Sequence, residues 1–147
     1  ADTMRTVPLP TNRTSQRSLQ EGLKPAMERP LVVVADDVQQ FSDFIQIVLE
    51  TRRLSVTVVG NGDDLLELLT RRTPSAIVVD AFLPRLNALE LAKILQEREL
   101  DIPMVVMTAN STESDVMDRL EKAPRLVKPF TSDELYNAMR AVIPAFH

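Results

Sequence analysis

Short apolar runs recur along the chain and predict five β-strands. Uninterrupted apolar runs of this kind are typical of strands that are buried on both faces of a parallel sheet. Four of the predicted strands are such runs, namely Leu31–Ala35, Ala76–Val79, Met104–Met107 and Leu126–Val127, and Ser55–Val59, which also contains polar residues, is predicted as the second strand of the chain. Polar, charged or glycine residues follow each run, so the carboxyl-terminal edge of the sheet is expected to carry most of the chemistry.

The segments between and after these strands carry apolar residues at helical spacing. The first predicted helix has its apolar stripe at Phe41, Phe44, Ile45, Val48 and Leu49. A fourth, more polar helix is predicted over 111–121. The fifth helix is expected to begin at Thr131, because Glu134 stands at capping-box spacing from it.

Five strand–helix units within about 115 residues predict an α/β fold with a parallel sheet covered on both faces. Right-handed crossovers leave few arrangements of such units. We expect a doubly wound, flavodoxin-like (βα)5 sheet with strand order 2-1-3-4-5. That order places strands one and three side by side at the centre and strand two outside them.

Candidate functional residues follow four of the five strands. Asp36 and Asp37 follow the first strand, Asp80 the third, Thr108 the fourth and Lys128 the fifth. In an open parallel sheet all strand carboxyl ends lie along one edge, and ligands bind there near the switch in strand order. The three carboxylates, the hydroxyl and the ammonium are therefore expected to meet in one pocket.

The chemistry of this pocket indicates a divalent cation and a phosphoryl group. Clustered carboxylates repel one another unless a cation lies among them, and Mg²⁺ prefers such hard oxygen ligands. No calcium-loop motif is present, and His147 is the single histidine, which disfavours zinc. A carboxylate beside Mg²⁺ and a lysine can attack a phosphoryl group and form an acyl phosphate. Taken singly, the acid pair could be a polar loop and Thr108 a helix cap.

Residues 1–30 differ in composition from the rest of the chain. They hold four prolines, five basic and three acidic residues, a net charge of +2 that leaves −6 for the remainder. Such a segment buries too little apolar surface to order itself, so we expect a flexible leader or linker before a domain at 31–147. The alternative is a short docking segment, since Leu19, Leu23 and Met27 stand at helical spacing.

Composition narrows the function classes further. A net charge of −4 disfavours nonspecific nucleic-acid binding, and the absence of cysteine excludes disulfides and thiolate chemistry. No apolar run is long enough to span a membrane, and the amino terminus lacks the apolar core of a signal peptide. A cytoplasmic protein without nucleic-acid or membrane partners is therefore expected.

The order and spacing of Asp36, Asp37, Asp80, Thr108 and Lys128 resemble the receiver domain of bacterial two-component response regulators, over residues 31–146. The resemblance implies that Asp80 is the phosphoacceptor and that Asp37 is a direct Mg²⁺ ligand. It implies that Asp36 contacts the metal mainly through water and that Asp80 itself is a ligand. Thr108 would be the switch hydroxyl, and Lys128 would pair with the phosphoryl group.

Further residues match the family pattern or depart from it. The Phe82 carbonyl would complete the metal ligands, and Pro84, Pro129 and Phe130 also match. Asn87 and Ala88 replace an acid and a glycine that are usual after the third strand, and the segment before the fifth strand is short. Arg125 stands where an aromatic residue usually reports the switch, and it cannot readily bury its charge in that role.

The resemblance implies a phosphoacceptor signalling module rather than an enzyme, without an output domain of its own. A histidine kinase or phosphotransfer protein would supply the phosphoryl group. The face formed by the fourth predicted helix, the fifth strand and the fifth helix would meet a downstream protein or a second copy, with Arg125 on it. The alternatives are a scaffold of the same fold that works unphosphorylated and a receiver excised from a hybrid kinase. A flavin- or nucleotide-binding protein is disfavoured, since no Gly-x-Gly-x-x-Gly or Walker loop is present.

Overall fold

The computed structural model describes residues 29–109, 120 and 122–144, and strands alternate with helices along them. The elements are β1 (Leu31–Ala35), α1 (Gln39–Glu50), β2 (Ser55–Val59), α2 (Gly62–Arg71), β3 (Ala76–Asp80), α3 (Ala88–Glu97), β4 (Met104–Thr108), β5 (Arg125–Val127) and α4 (Ser132–Val142). The helix predicted over 111–121 falls outside the described residues except for Leu120, and so does nearly all of the predicted leader. Among the described helices, none has the length and apolarity needed to cross a bilayer.

The five strands form one parallel sheet in the order β2-β1-β3-β4-β5, which confirms the predicted topology. Strand β1 lies between β2 and β3, and Ala35 pairs with Val59 on one side and Val79 on the other. Strand β5 pairs with β4 at the opposite edge from β2. The ends of β1 and β3 are therefore neighbours, as the order requires.

Two apolar layers cover the sheet, because successive side chains of each strand point to opposite faces. Val33 belongs to the layer that contains Leu65 of α2 and Leu91 of α3. Val34 belongs to the other layer, whose helical members include Ile45 of α1 and Leu135 of α4. Helices pack against both faces of the sheet, so they fix the positions of the strand ends that carry the functional groups.

Helix α1 departs in one respect from the predicted apolar stripe. Ile45, Val48 and Leu49 are buried as expected, but Phe44 is 36% exposed, and the small residue Ser42 is buried in the core-facing row. The Ser42 hydroxyl satisfies itself locally by donating to the Gln39 carbonyl at 3.1 Å. Helical periodicity alone therefore assigned Phe44 to the core, whereas it lies on the flank of the helix.

Side-chain caps fix where the later helices begin. Thr131 and Glu134 form the capping box that their spacing predicts at the start of α4. Asn87 and Glu90 form a second capping box at α3, which the sequence analysis did not identify. Asn61 caps α2 by accepting from the Asp64 amide at 2.9 Å. Each cap joins a helix directly to a loop at the carboxyl-terminal edge of the sheet.

Candidate functional site

Three carboxylates meet where β1 and β3 end. Asp36, Asp37 and Asp80 each place an oxygen within 4.8 Å of the other two. Asp36 is 2% exposed, Asp37 is exposed and Asp80 lies between these extremes. Strand order brings these residues together, since β1 and β3 are paired at the centre of the sheet. Their repulsion makes the cluster a natural place for positive charge.

The Lys128 ammonium lies between two of these carboxylates. Its Nζ is 2.6 Å from Oδ2 of Asp36 and 2.8 Å from Oδ2 of Asp80, and the lysine side chain is 10% exposed. The residue follows β5, where its backbone amide donates to the Thr108 carbonyl at 2.8 Å, and a cis peptide bond joins it to Pro129. The segment after β5 thus places the Lys128 ammonium beside Asp36, which follows β1, and Asp80, which ends β3.

The pKa of Lys128 is raised above its ordinary value of 10.5. Burial acts in the opposite direction and lowers it, but the hydrogen bonds and charge attraction from Asp36 and Asp80 outweigh that effect. Lys128 is therefore protonated throughout the neutral range and acts as a fixed positive charge.

Backbone amides orient two of the carboxylates. The Val38 amide donates to Oδ1 of Asp36 at 2.8 Å, and the Phe82 amide donates to Oδ1 of Asp80 at 2.8 Å. In both residues the other oxygen faces Lys128. The Phe82 side chain itself is 53% exposed, so this residue contributes to the site through its backbone.

Thr108 is the last residue of β4 and is 2% exposed. Its neighbour Met107 pairs with Asp80 across the sheet, so Thr108 lies one residue beyond the strand position of the carboxylate. The structure therefore brings all five predicted groups to one edge.

An aromatic cluster beside the lysine was missed by sequence reasoning. The Phe41 ring centroid is 4.5 Å from Nζ of Lys128, and Phe41 stacks on Phe130 with centroids 6.4 Å apart. Phe44 also contacts Phe130 edge-on, with centroids 6.0 Å apart. The helical stripe had explained Phe41 as an ordinary core position, and periodicity carries no signal for the contact with Lys128.

The loop after Asp80 is bonded to the start of α2 by a hydrogen bond and an ion pair, a second feature that the sequence did not reveal. The Gly62 amide donates to the Pro84 carbonyl at 2.8 Å, and Arg85 forms an ion pair with Asp63 at 2.7 Å. A Cβ atom on Gly62 would overlap the Cβ of Leu86. Only glycine at this position allows the loop to lie where it does.

Arg125 begins the edge strand β5 and is exposed. Leu126, the next residue, packs in the layer that contains α4. Because side chains alternate along a strand, Arg125 and Val127 share the opposite face. Arg125 thus lies at the sheet edge, on the face away from α4, and not among the five groups of the site.

The donor set fits a magnesium ion. Magnesium prefers carboxylate and carbonyl oxygens and retains several waters, and the three acids supply hard oxygen atoms with one partner, Asp37, open to solvent. The ammonium of Lys128 already neutralises part of the charge on Asp36 and Asp80.

Another groove, of about 1050 Å³, lies at the opposite, amino-terminal edge of the sheet. Its walls include Leu95, Leu100, Ile102, Pro103, Leu120 and Pro124. It contains none of the titratable residues described above and adds nothing to their chemistry.

Comparison with known proteins agrees with this geometry. The family model of the response regulator receiver domain matches residues 32–140, so the chain belongs to that family of two-component signalling domains. It is 31% identical over 114 residues to the response regulator MprA of a Mycobacterium species (strain KMS), which covers 76% of this chain and 50% of MprA. The chain thus spans about half the length of the curated relatives it matches.

Solved structures show the same fold. The receiver domain of the Francisella response regulator 1452 is 30% identical, with a TM-score of 0.66, and the match covers 77% of this chain and 93% of that one. The chemotaxis response regulator CheY4 of Vibrio cholerae is 18% identical, with a TM-score of 0.71 and coverage of 78% and 99%. The receiver domain of the Pseudomonas aeruginosa sensor kinase PA1611 was solved with magnesium in its active-site cleft; it is 23% identical, with a TM-score of 0.69 and coverage of 80% and 99%.

Proposed function

We propose that this chain is a phosphoacceptor module in which Asp80 receives a phosphoryl group from a histidine kinase, a phosphotransfer protein or a small phosphodonor. The observation that carries the proposal is the position of Asp80: its carboxylate is held by a backbone amide and by Lys128, within 4.8 Å of two further acids. The family to which the chain belongs and the chemistry of the donor set support the same reading.

The reaction is a displacement at phosphorus. An oxygen of Asp80 forms a bond to phosphorus, the bond from phosphorus to the donor nitrogen or oxygen breaks, and the electron pair leaves with the donor. Lys128 stays protonated and offsets negative charge on the phosphoryl oxygens. The Phe82 amide fixes one carboxylate oxygen, which limits rotation of Asp80 during attack.

Asp37 and Asp80 would bind Mg²⁺ directly, Asp36 would act mainly through water, and the Phe82 carbonyl would complete the protein ligands. Bound magnesium would neutralise charge on the incoming phosphoryl group and on the carboxylates. Thr108 would donate its hydroxyl to the phosphoryl group of the product, which would couple the site to β4. These assignments follow the family resemblance residue by residue.

The signalling role extends the proposal. Phosphorylation would alter the face around β5 and α4, where a downstream protein or a second copy would bind, and the chain would act as a signalling module rather than as an enzyme with a substrate of its own. A domain boundary near residue 30 belongs to the same proposal. So does a cytoplasmic location, because histidine kinases and small phosphodonors transfer phosphoryl groups in the cytoplasm. Neither nucleic acid nor a membrane is a proposed partner of the acidic chain.

A scaffold that works unphosphorylated is the second candidate, and Arg125 favours it. Arg125 occupies the position of the usual switch aromatic, and it is exposed on an edge strand. Such a scaffold would bind its partner equally well with or without phosphate on Asp80.

Treatment with acetyl phosphate and Mg²⁺, followed by intact-protein mass spectrometry, tests the proposal. The wild type is expected to gain one phosphoryl group, and Asp80→Asn is expected to gain none. Asp101→Asn is the matched control, because Asp101 is an exposed acid just before β4, at the other edge of the sheet. Equal phosphorylation of the two variants would overturn the assignment of Asp80.

A further inference from the structure

We propose that Phe41 is a positioning residue for Lys128: the face of its ring keeps the ammonium at the phosphoacceptor without competing as a hydrogen-bond partner. The inference rests on the proposed function of Asp80 and adds a residue that the charged constellation does not contain. It is carried by the contact between the ring and the ammonium and by the packing that holds the ring.

The contact has the geometry of a cation–π interaction. Nζ of Lys128 is 4.5 Å from the Phe41 ring centroid, inside the range of about 6 Å over which such attraction is significant. The lysine side chain is only 10% exposed, so little water screens the interaction. Asp36 and Asp80 both form ion pairs with the ammonium, and the aromatic face provides a third, weaker attraction.

The ring is itself held in place. Phe130 stacks on Phe41 at an interplanar angle of 26° and is 8% exposed, and Phe44 packs edge-on against Phe130. Phe130 lies two residues after Lys128, so the same short segment carries both the cation and the support for the ring. Lys128 and Phe41 are therefore positioned together by α1 and the segment after β5.

Positioning matters because a lysine carries a point charge on a flexible stem. When Asp80 is phosphorylated, Lys128 has to move its hydrogen bonds to phosphoryl oxygens, while Asp36 remains available as a competing partner. An aromatic face attracts the ammonium without fixing the direction of its N–H bonds, so it permits this exchange of partners and limits movement into solvent. Leucine would fill the helical apolar position equally well but would lack that attraction.

Three variants separate the ring's electrostatic effect from its packing. Phe41→Leu removes the aromatic face, Phe41→Tyr keeps it, and Phe44→Leu removes a neighbouring ring that touches Phe130 but is not part of the contact with Lys128. Initial rates of phosphorylation by acetyl phosphate at saturating Mg²⁺ are expected to fall about fivefold in Phe41→Leu, the rate equivalent of ~1 kcal/mol. Phe41→Tyr and Phe44→Leu should stay within about twofold of the wild type, well below that change.

A second readout reports the position of Lys128 without any phosphoryl transfer. Reductive methylation, followed by peptide mass spectrometry, reports how accessible the Lys128 amine is and how readily it loses its proton, and the ring's attraction for the ammonium lowers both. Methylation of Lys128 is expected to rise in Phe41→Leu relative to Phe44→Leu, with Lys93 as the exposed internal reference. Because this assay needs no phosphodonor, it tests the contact even if Asp80 proves not to be the phosphoacceptor.

A graded series completes the test. Fluorinated phenylalanines placed at position 41 weaken the negative face of the ring with little change in its shape. A stepwise fall in phosphorylation rate and a stepwise rise in Lys128 methylation with added fluorine are expected. If both readouts ignore fluorination, or if Phe41→Leu and Phe44→Leu behave alike, Phe41 is a packing residue and the proposal is overturned. Loss of phosphorylation in every chain, including the wild type, would instead contradict the proposed function.

Discussion

The Lys128 ammonium lies 2.6 Å from a carboxylate oxygen of Asp36, whose side chain has no exposed surface. A buried charge needs an oppositely charged partner, because removing an unpaired charge from water raises the free energy of the folded state. The pair therefore links the domain's stability to its chemistry: the same lysine that would meet the phosphoryl group neutralises an acid beneath it.

The first prediction concerns that pair. Lys128→Met should lower the free energy of unfolding by about 3 kcal/mol in chelator, because it leaves Asp36 without its cation beside two further acids. Urea denaturation measures the loss, and Lys93→Met on the exposed surface of α3 serves as the control. Mg²⁺ should restore part of the stability by supplying positive charge to the cluster. Equal stability of the two variants would contradict the role given to the pair.

The Lys128→Met variant also predicts the direction in which the stability difference from the wild type changes with pH. The pKa of Lys128 is raised above 10.5 in the folded chain, so its contribution to stability is complete below that pH and is lost as the pH rises through the folded value. The stability difference between wild type and Lys128→Met should therefore be constant from neutral pH to about pH 10 and shrink above it. A difference that grew with alkaline pH would contradict this sign.

A second prediction concerns magnesium. Millimolar Mg²⁺ should raise the melting temperature of the wild type, because a ligand that binds only the native state stabilises it. Asp37→Asn should remove most of that gain, since Asp37 is the exposed acid of the cluster. Asp101→Asn, which changes an exposed acid at the opposite edge of the sheet, should keep it. A wild-type melting temperature that ignores Mg²⁺ would show that the cluster is not a magnesium site.

Most of the fold could be predicted from the sequence because buried parallel strands leave uninterrupted apolar runs. Strand order then followed from handedness rules, and it brought Asp36 and Asp80 together although they are 44 residues apart. Strand ends are also where polar residues stand out most sharply, so the candidate site could be read from the same pattern.

The missed features depend on contacts that residue spacing cannot report. Helical periodicity shows that position 41 should be apolar but not that its ring faces Lys128. It also assigned Phe44 to the core, whereas the small Ser42 occupies that row and Phe44 packs against Phe130 instead. The close approach of Gly62 to Leu86 joins the start of α2 to the loop after Asp80, so neither segment's own sequence reveals it.

That close approach gives a third prediction. Gly62→Ala should destabilise the domain by about 2 kcal/mol, because its Cβ would overlap Leu86 and push on the loop that follows Asp80. Gly60→Ala is a matched control two residues away, with open space around its Cβ, and should change stability by less than about 1 kcal/mol. Thermal denaturation compares the two. A Gly62→Ala chain as stable as Gly60→Ala would mean that the loop shifts without strain.

A fourth prediction concerns the lifetime of the phosphoryl group. The Phe82 side chain lies two residues after Asp80, is 53% exposed and cannot orient a water molecule. Phe82→Asn should therefore speed loss of the phosphoryl group. Mass spectrometry at successive times after the phosphodonor is removed measures this decay. Ile47→Asn changes another exposed apolar residue, on the surface of α1, and should leave the decay unchanged. Equal or slower decay in Phe82→Asn would count against this account.

The last prediction concerns Arg125, at the start of the edge strand β5. An exposed guanidinium there can bind a partner carboxylate through two parallel hydrogen bonds, whereas a solvated edge charge would only discourage strand pairing. Arg125→Ala should leave phosphorylation of Asp80 unchanged but weaken association of phosphorylated chains by about 1 kcal/mol or more, as measured by sedimentation equilibrium with acetyl phosphate and Mg²⁺. Arg71→Ala on the exposed surface of α2, outside the face around β5 and α4, controls for the loss of one positive charge. If both variants associate as the wild type does, Arg125 is a solvated edge residue.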